Sequence, residues 1–339
     1  MASRNPIPIL PEFDAGAIKQ RLDRHEFFWA DLAVPQEASF DEIAAAFSLD
    51  AEAVAALKLF GPPPQRQNGA PQRRVHVDDE HVVFPFWCMW RPDAPLDGRR
   101  GAVEMFEVKV VLHGDYLLTV HETEHDLRDL VGEKLPRGRS ERYAVYAVLE
   151  AMTSTFFRSL LALQETMGEL EVELFEAGGR TPQGHRQLIQ AARIRLTELR
   201  SVAGPQRVLF ERASGEMEHV PGLEEDHGDY FDRISQQLDR IIDGIDAASG
   251  GLSSALEVQL NATTYRLTIV ATIFLPLTLL TGFFGMNFDW MVDQVGSEAA
   301  FLVYGIGGLV GALILIVGFL ARQGAVRVSA PRVPVRRKS

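Results

Sequence analysis

The spacing of apolar residues changes character along the chain. Up to about residue 139, short apolar runs alternate with polar, turn-forming clusters, which is the signature of strands mixed with short helices. Phe27-Phe28-Trp29-Ala30-Asp31-Leu32 predicts a strand, and Phe40 to Leu59 has helical spacing with Ser39 as its N-cap ahead of Glu42. Gly61-Pro62-Pro63-Pro64 stops that helix. Arg73–Val77, His81–Trp90 and Val103–Leu112 predict further strands, Gly114-Asp115 a turn, and Tyr116–His121 one more strand. From about Ser140 the period lengthens to that of a helix. Tyr143 to Glu176 reads as one long helix ended by Gly178-Gly179, and Gln183–Leu199 starts another before Pro205. A last helix is predicted to begin near Pro221, with Phe231, Ile234, Leu238, Ile241, Ile245 and Leu252 at steps of three and four, as a packed stalk requires. From Leu223 to Phe284 it would measure about 90 Å at about 1.5 Å per residue. Ala248-Ser249-Gly250-Gly251 is its weak point, each Gly costing roughly 1 kcal/mol relative to Ala, so a hinge or a tolerated defect is expected there.

Two stretches then carry no charge at all, Leu267 to Phe288 and Ala299 to Ala321. Each is long enough to cross a bilayer, which takes roughly 20 residues. Only Asp289 to Glu298 lies between them, enough for a tight turn between antiparallel helices, and it holds Asp289, Asp293 and Glu298 with no Lys or Arg. Basic residues instead follow the second stretch and Arg266 precedes the first, so both termini are expected in the cytoplasm and the short loop outside. The first span is interrupted by Thr268, Thr272, Thr278, Thr281 and Pro276. One face of it, Asn261, Thr264, Thr268, Ala271, Leu275, Thr278 and Gly282, is small or polar apart from Leu275. A polar stripe at membrane depth faces water or protein. Two spans cannot enclose a water-filled path, so the stripe implies several copies around an axis. The second span holds Gly305, Gly307, Gly308, Gly311 and Gly318, and the Gly307-xxx-Gly311 spacing suits close packing against another helix.

The predicted organisation is an α/β domain over 1–139, a helical bundle and stalk over 140–265, a pore-lining span over 266–288, an outer loop over 289–298, a second span over 299–321 and a basic tail over 322–339. The fold class is α+β, an α/β sandwich with a mixed sheet, followed by long stalk helices and two transmembrane helices. Charge divides along the same line. Residues 1–265 hold 27 Lys and Arg against 43 Asp and Glu, a net of −16, whereas residues 266–339 hold 7 against 3, a net of +4. An acidic body argues against nucleic acid, which needs a basic face, and suits attraction of cations. Cys88 is the single cysteine, which excludes a disulfide framework and a thiolate metal site. Met1-Ala2-Ser3-Arg4-Asn5-Pro6 lacks the apolar core of a signal peptide, so the N-terminal region is expected to stay cytoplasmic.

His121-Glu122-Thr123-Glu124-His125 formally matches the H-E-x-x-H zinc-protease pattern. That chemistry needs both rings on one helical face, and His121 here prolongs the strand Tyr116–Val120, so no catalytic role is assigned. The G-x-x-x-x-G-K-[ST] nucleotide pattern is absent, and Gly305-Ile306-Gly307 lies within a span. No cofactor is expected. A dication crossing roughly 150 mV, inside negative, gains about 7 kcal/mol, so passive uptake needs no nucleotide.

Gly285-Met286-Asn287, at the outer end of the first of two spans, resembles the signature of the CorA family of magnesium and cobalt transporters. Leu267 to Thr278 is similar to the family's first span nearly throughout, and Phe288-Asp289-Trp290-Met291 to its loop opening. The Phe28 to Leu32 strand, Leu199-Arg200 with Pro205-x-Arg207, and the stalk extend the resemblance over nearly the whole chain. It implies a homopentamer in the cytoplasmic membrane, a funnel-shaped cytoplasmic domain, and five copies of the first span lining a pore for Mg²⁺, Co²⁺ or Ni²⁺. Zn²⁺ transport of the ZntB-like type and a non-conducting membrane-anchored oligomer remain alternatives. Magnesium sheds its six waters reluctantly, and a ring of Asn287 amide oxygens would hydrogen-bond the hydrated ion. Gly285 would allow a sharp backbone, Thr278 and Gly282 would line the path, Leu275 and Leu267 would narrow it, and Asn261 would form the inner polar ring. The family's acidic pair, part of a regulatory magnesium site, falls at Ala55 and Ala56 here, whereas Asp226 and Asp229 align with acidic residues at the head of the stalk. Sensing would then be weaker, or rebuilt from Asp50, Glu52 and Asp226. Met291-Val292-Asp293-Gln294 also replaces a common Met-Pro-Glu-Leu run in the loop.

Overall fold

The computed structural model describes residues 7–33, 39–61, 75–94, 96, 104–122, 127–131, 141–176, 183–217, 220–221, 230–286, 297, 299 and 301–322. The chain divides into two compact units, one of residues 1–170 with 182–253 and one of 171–181 with 254–339. The first unit carries a six-stranded mixed sheet in the order β1-β2-β6-β5-β4-β3. Its strands are β1 (Ile9–Leu10), β2 (Phe28–Ala33), β3 (His76–Val77), β4 (Val82–Trp90), β5 (Glu104–His113) and β6 (Tyr116–His121). β1, β2 and β6 are parallel, with Phe28 opposite Tyr116, and β6, β5, β4 and β3 are antiparallel, with Val82 opposite Leu112. The period-2 rule sorts each strand between two cores. Trp29, Phe84, Phe86, Val108, Val110 and Leu117 enter the cluster with Val145, Val148, Phe210 and Ile234. Phe28, Ala30, Val83, Val111 and Leu118 enter a second cluster with Ile18, Ile43, Phe47 and Leu57.

Helices cover both faces: α1 (Ala15–Leu22), α2 (Ser39–Phe47) and α3 (Ala51–Lys58) on one, and α4 (Leu127–Val131), α5 (Glu141–Glu176), α6 (Gln183–Met217) and the first part of α7 (Tyr230–Phe284) on the other. The single helix expected over Phe40–Leu59 is two. Ser48 turns the chain at φ 55°, and the Asp50 carboxylate caps α3 by accepting from the Ala53 N–H at 2.6 Å. An Asp three residues ahead of such an N–H is a local start signal that the apolar spacing of the whole stretch conceals. β1, α1 and α4, too short for a clear period, were not expected.

α6 also passes through Pro205 to Met217, longer than expected. The residue after that proline is built into the sheet: Gln206 Oε1 accepts from the Trp87 N–H at 2.9 Å, and Thr155 Oγ1 of α5 accepts from the Met89 N–H at 3.1 Å. These are N–H groups on the edge of β4 beyond the two-residue partner β3. Pro85, at the same parity, has no N–H to satisfy. The helices thus close an edge that would otherwise be left open.

The HExxH stretch is no zinc site of the protease kind, because His121 is the last residue of β6, and His125 lies outside the described residues. His121 Nε2 sits 3.3 Å from Asp31 Oδ1 in a buried network. There Thr119 Oγ1 donates to Asp31 at 2.6 Å and accepts from Trp29 Nε1 at 2.9 Å. Every residue of the expected stalk stripe is buried, from Phe231, Ile234 and Leu238 through Ile241, Ile245 and Leu252. Arg200 and Arg207 of α6 bind Asp246 and Asp239 of α7, each at 2.9 Å. Seven residues separate the two arginines and seven the two aspartates, two helical turns in antiparallel register.

Candidate functional site

The second unit contains the outer part of α7 and α8 (Gly307–Arg322), the latter preceded by a π-helical turn over Phe301–Ile306 where a regular helix was expected. Both helices are long and apolar enough to cross a bilayer, and almost none of either apolar stretch is buried within the chain. Phe274, Leu275, Leu279, Leu302, Ile314, Leu315 and Phe319 are all exposed. A surface of this kind needs lipid or further copies to cover it.

α7 distinguishes its faces. Ile269, Ile273, Pro276, Leu277 and Leu280 are partly covered, whereas Asn261, Thr264, Thr268, Ala271, Leu275, Thr278 and Gly282 are all exposed, as is Leu267. The stripe predicted from spacing therefore lies within the broad uncovered side of a continuous helix, flanked by the exposed apolar residues Val270, Phe274, Leu279 and Phe283. The threonine hydroxyls of this stretch, Thr268 and Thr278 on the stripe and Thr272 and Thr281 beside it, have a definite polarity. Thr268 donates to the Thr264 carbonyl at 2.9 Å, Thr272 to Thr268 at 2.7 Å, Thr278 to Phe274 at 2.8 Å and Thr281 to Leu277 at 3.0 Å. With each hydroxyl proton committed to the helix's own backbone, the oxygens present acceptor lone pairs outward.

Pro276 sits inside α7 without ending it. The helix closes at Phe284, where the Gly285 N–H donates to the Thr281 carbonyl at 3.0 Å and the Met286 N–H to Phe283 at 3.2 Å. A Cβ on Gly285 would stand 3.2 Å from the Thr281 oxygen and 3.4 Å from that of Gly282, so a side chain there crowds the closing turn. Leu275, Thr278, Leu279, Gly282, Phe283 and Met286 line a depression of about 550 Å³ immediately below this turn. Asn287 and the loop residues Asp289, Asp293 and Glu298 lie outside the described residues, as do Asp226 and Asp229. In the second span, a Cβ on Gly311 would meet nothing within 4 Å, which leaves the small-residue face of α8 open.

Ala55 and Ala56 lie on α3, where together with Glu52 and His76 they line a cleft of about 570 Å³ in the first unit. Beside it the structure joins Asp50, already a candidate for cation sensing, to histidines and acids that the sequence did not single out. Asp50, His76 and Asp78 place one ligand atom each within 4.8 Å of one another, and so do Glu80, His81 and His113. The signal was present as alternating acids and histidines around Val77, but only the folded α3 brings Asp50 to them.

A mixed α/β layer whose last long helix continues into an unburied apolar stretch, polar along one face and closed by a glycine turn, and a second unburied apolar helix after it, give the chain two candidate membrane spans. A family profile described as CorA-like Mg2+ transporter protein matches residues 24–322, and the chain belongs to this family of divalent-cation transporters. It is 28% identical over 258 residues to the cobalt/magnesium transport protein CorA of Thermotoga maritima, covering 72% of this chain and 70% of that protein. It is 30% identical over 182 residues to the zinc transport protein ZntB of Pectobacterium atrosepticum, covering 52% of each. Among solved structures, the CorA magnesium transporter of Methanocaldococcus jannaschii superposes with a TM-score of 0.53 at 18% identity, covering 87% of this chain and 90% of that one. The ZntB cytoplasmic domain of Vibrio parahaemolyticus gives 0.51 at 12% identity, covering 70% and 90%.

Proposed function

We propose that the chain is one subunit of a homopentameric channel in the cytoplasmic membrane, with both termini inside, that carries Mg²⁺, and also Co²⁺ and Ni²⁺, down the membrane potential. The observation that carries this reading is the uncovered stripe of α7, polar or small from Asn261 to Gly282 apart from Leu275 and leading directly into Gly285-Met286. Copies of that face around an axis form a path whose threonine oxygens accept hydrogen bonds from the waters of a hydrated cation. Leu267 and Leu275 narrow the path. The open carbonyls of the last turn give the C-terminus of each α7 a partial negative charge, and a ring of them at the mouth attracts cations. Asn287 then holds the ion in its water shell, since Mg²⁺ dehydrates reluctantly. Lipid covers the remaining apolar surface, and Asp226 and Asp229 are assigned to a regulatory Mg²⁺ site.

Zn²⁺ transport is the second reading, supported by the relatives named as zinc transport proteins. Uptake of Mg²⁺, Co²⁺ and Zn²⁺ into proteoliposomes at a fixed inside-negative potential separates the readings. Entry of Mg²⁺ and Co²⁺ that Asn287→Ala abolishes is expected. Entry of Zn²⁺ alone supports the second reading, and flux of no ion would leave a non-conducting oligomer.

A further inference from the structure

We propose that Asp50, His76 and Asp78 form a binding site for one transition-metal dication of the Zn²⁺, Co²⁺ or Ni²⁺ class, held within a single subunit between the head of α3 and the β3–β4 turn. The three residues come from separate pieces of chain. Asp50 caps α3, His76 opens β3, and Asp78 begins the turn to β4. His76 Nε2 lies 3.2 Å from Asp50 Oδ1 and 3.9 Å from Asp78 Oδ2. In a tetrahedral site with metal-to-ligand distances of about 2.0–2.2 Å, ligand atoms stand about 3.3–3.6 Å apart, and the two observed separations bracket that spacing.

The nitrogen itself points to a missing ligand. His76 Nε2 is shielded from solvent and makes no hydrogen bond, although two carboxylates lie near. It is therefore aligned on neither of them. A buried polar atom in that condition is costly, and a cation between the three groups removes the cost.

The surroundings match a metal site's outer shell. Glu52 Oε2 stands 3.6 Å from His76 Nδ1, beyond hydrogen-bond reach, and adds a further negative charge beside the ring. Asp78 is held in place by the N–H groups of Glu80 at 2.8 Å and His81 at 2.6 Å and by the His81 ring at 3.0 Å. Burial raises the Asp78 carboxyl, but these hydrogen bonds outweigh it and leave its pKa below the ordinary value. The Asp50 oxygen keeps a lone pair beyond its bond to the Ala53 N–H. The cleft lined by Glu52, Ala55, Ala56 and His76 gives access from solvent.

An imidazole nitrogen with two carboxylates selects transition metals over Mg²⁺, which prefers an all-oxygen shell and retains its waters. The neighbouring trio of Glu80, His81 and His113 does not qualify. His113 Nδ1 accepts the Asp115 N–H at 3.0 Å, so its Nε2 carries the proton in the neutral ring and has no lone pair for a metal.

The test is Zn²⁺ titration of the full-length chain in detergent with a chromophoric competitor and excess Mg²⁺, with the d–d spectrum after Co²⁺ loading as second readout. One tight ion per chain is expected, with an intense four-coordinate Co²⁺ spectrum. His76→Gln and Asp50→Asn, the latter retaining the helix cap, should each weaken binding at least about tenfold and dim that spectrum. His113→Gln should change neither. Unchanged affinity in both His76→Gln and Asp50→Asn overturns the site, as does equal loss in His113→Gln. Binding that persists in Asn287→Ala separates this site from the proposed pore, whatever transport shows.

Discussion

Lys109 carries its ammonium into the side of the sheet, where it is only 3% exposed, and Glu107 two residues earlier on β5 is 5% exposed. The two meet at 2.8 Å, Glu107 also accepts from the Gly61 N–H at 3.2 Å, and the ammonium stands 5.3 Å from the Phe60 ring centre. Removing one partner of such a pair leaves a desolvated charge, so Glu107→Ala is expected to lower stability by about 3 kcal/mol, read from the denaturant midpoint of the purified chain. Replacing both residues by apolar ones of similar size should recover most of that loss. A midpoint unmoved by Glu107→Ala would mean that the lysine is solvated. Gly285 is the second residue-scale case. Since a Cβ there meets the Thr281 oxygen at 3.2 Å, Gly285→Ala should reduce cation uptake severalfold while membrane insertion and oligomer size stay unchanged. At this scale the pore side of α7 was legible beforehand, because a period of 3.6 in a charge-free stretch fixes which side chains share a face. Asp50, His76 and Asp78 were not, because their meeting depends on a strand and a helix folding onto each other.

Elements were legible in proportion to their length. The strands from Phe28 to His121 and the long helices followed from alternation and from 3/4 spacing, whereas β1 and α1 have too few residues to establish a period. Pro205 misled for a physical reason. Proline removes one helical hydrogen bond, but the flanking turns of α6 are anchored by Arg200 to Asp246 and Arg207 to Asp239, so tertiary contacts override the local break. Packing between elements can be probed at Gly244 of α7, where an added Cβ would stand 2.7 Å from Leu160 Cδ2 of α5. Gly244→Val should therefore destabilise by about 1–3 kcal/mol through overpacking, more than Gly244→Ala, in which helix propensity offsets part of the strain. Gly250 and Gly251 contrast with it. Helix α7 runs through both without interruption, and a Cβ on either meets nothing within 4 Å. Gly250→Ala should stabilise the helix by roughly 1 kcal/mol. Amide hydrogen exchange slowed at Gly250 and its neighbours by that substitution, together with altered cation flux, would identify the position as a working hinge. Slowed exchange with unaltered flux would make it a tolerated weak point.

At the scale of the whole molecule, the proposed potential-driven channel demands a particular direction of transport at a given gradient. A passive pore of the kind proposed has the membrane potential as its driving force. A dication gains about 4.6 kcal/mol per 100 mV, which corresponds to about three decades of accumulation at equilibrium. Proteoliposomes holding the full-length chain at about 100 mV, inside negative, should therefore take up Mg²⁺ against a tenfold outward gradient. Dissipating the potential with a potassium ionophore in symmetric potassium should reverse the direction of net flow. A carrier coupled to protons would instead follow an imposed pH difference and continue after the potential is removed. Uptake that tracks pH rather than potential would overturn the channel reading while leaving membership of the family intact. Because a tenfold gradient opposes entry by only about 1.4 kcal/mol, the sign of the flow at 100 mV is decided by the larger electrical contribution.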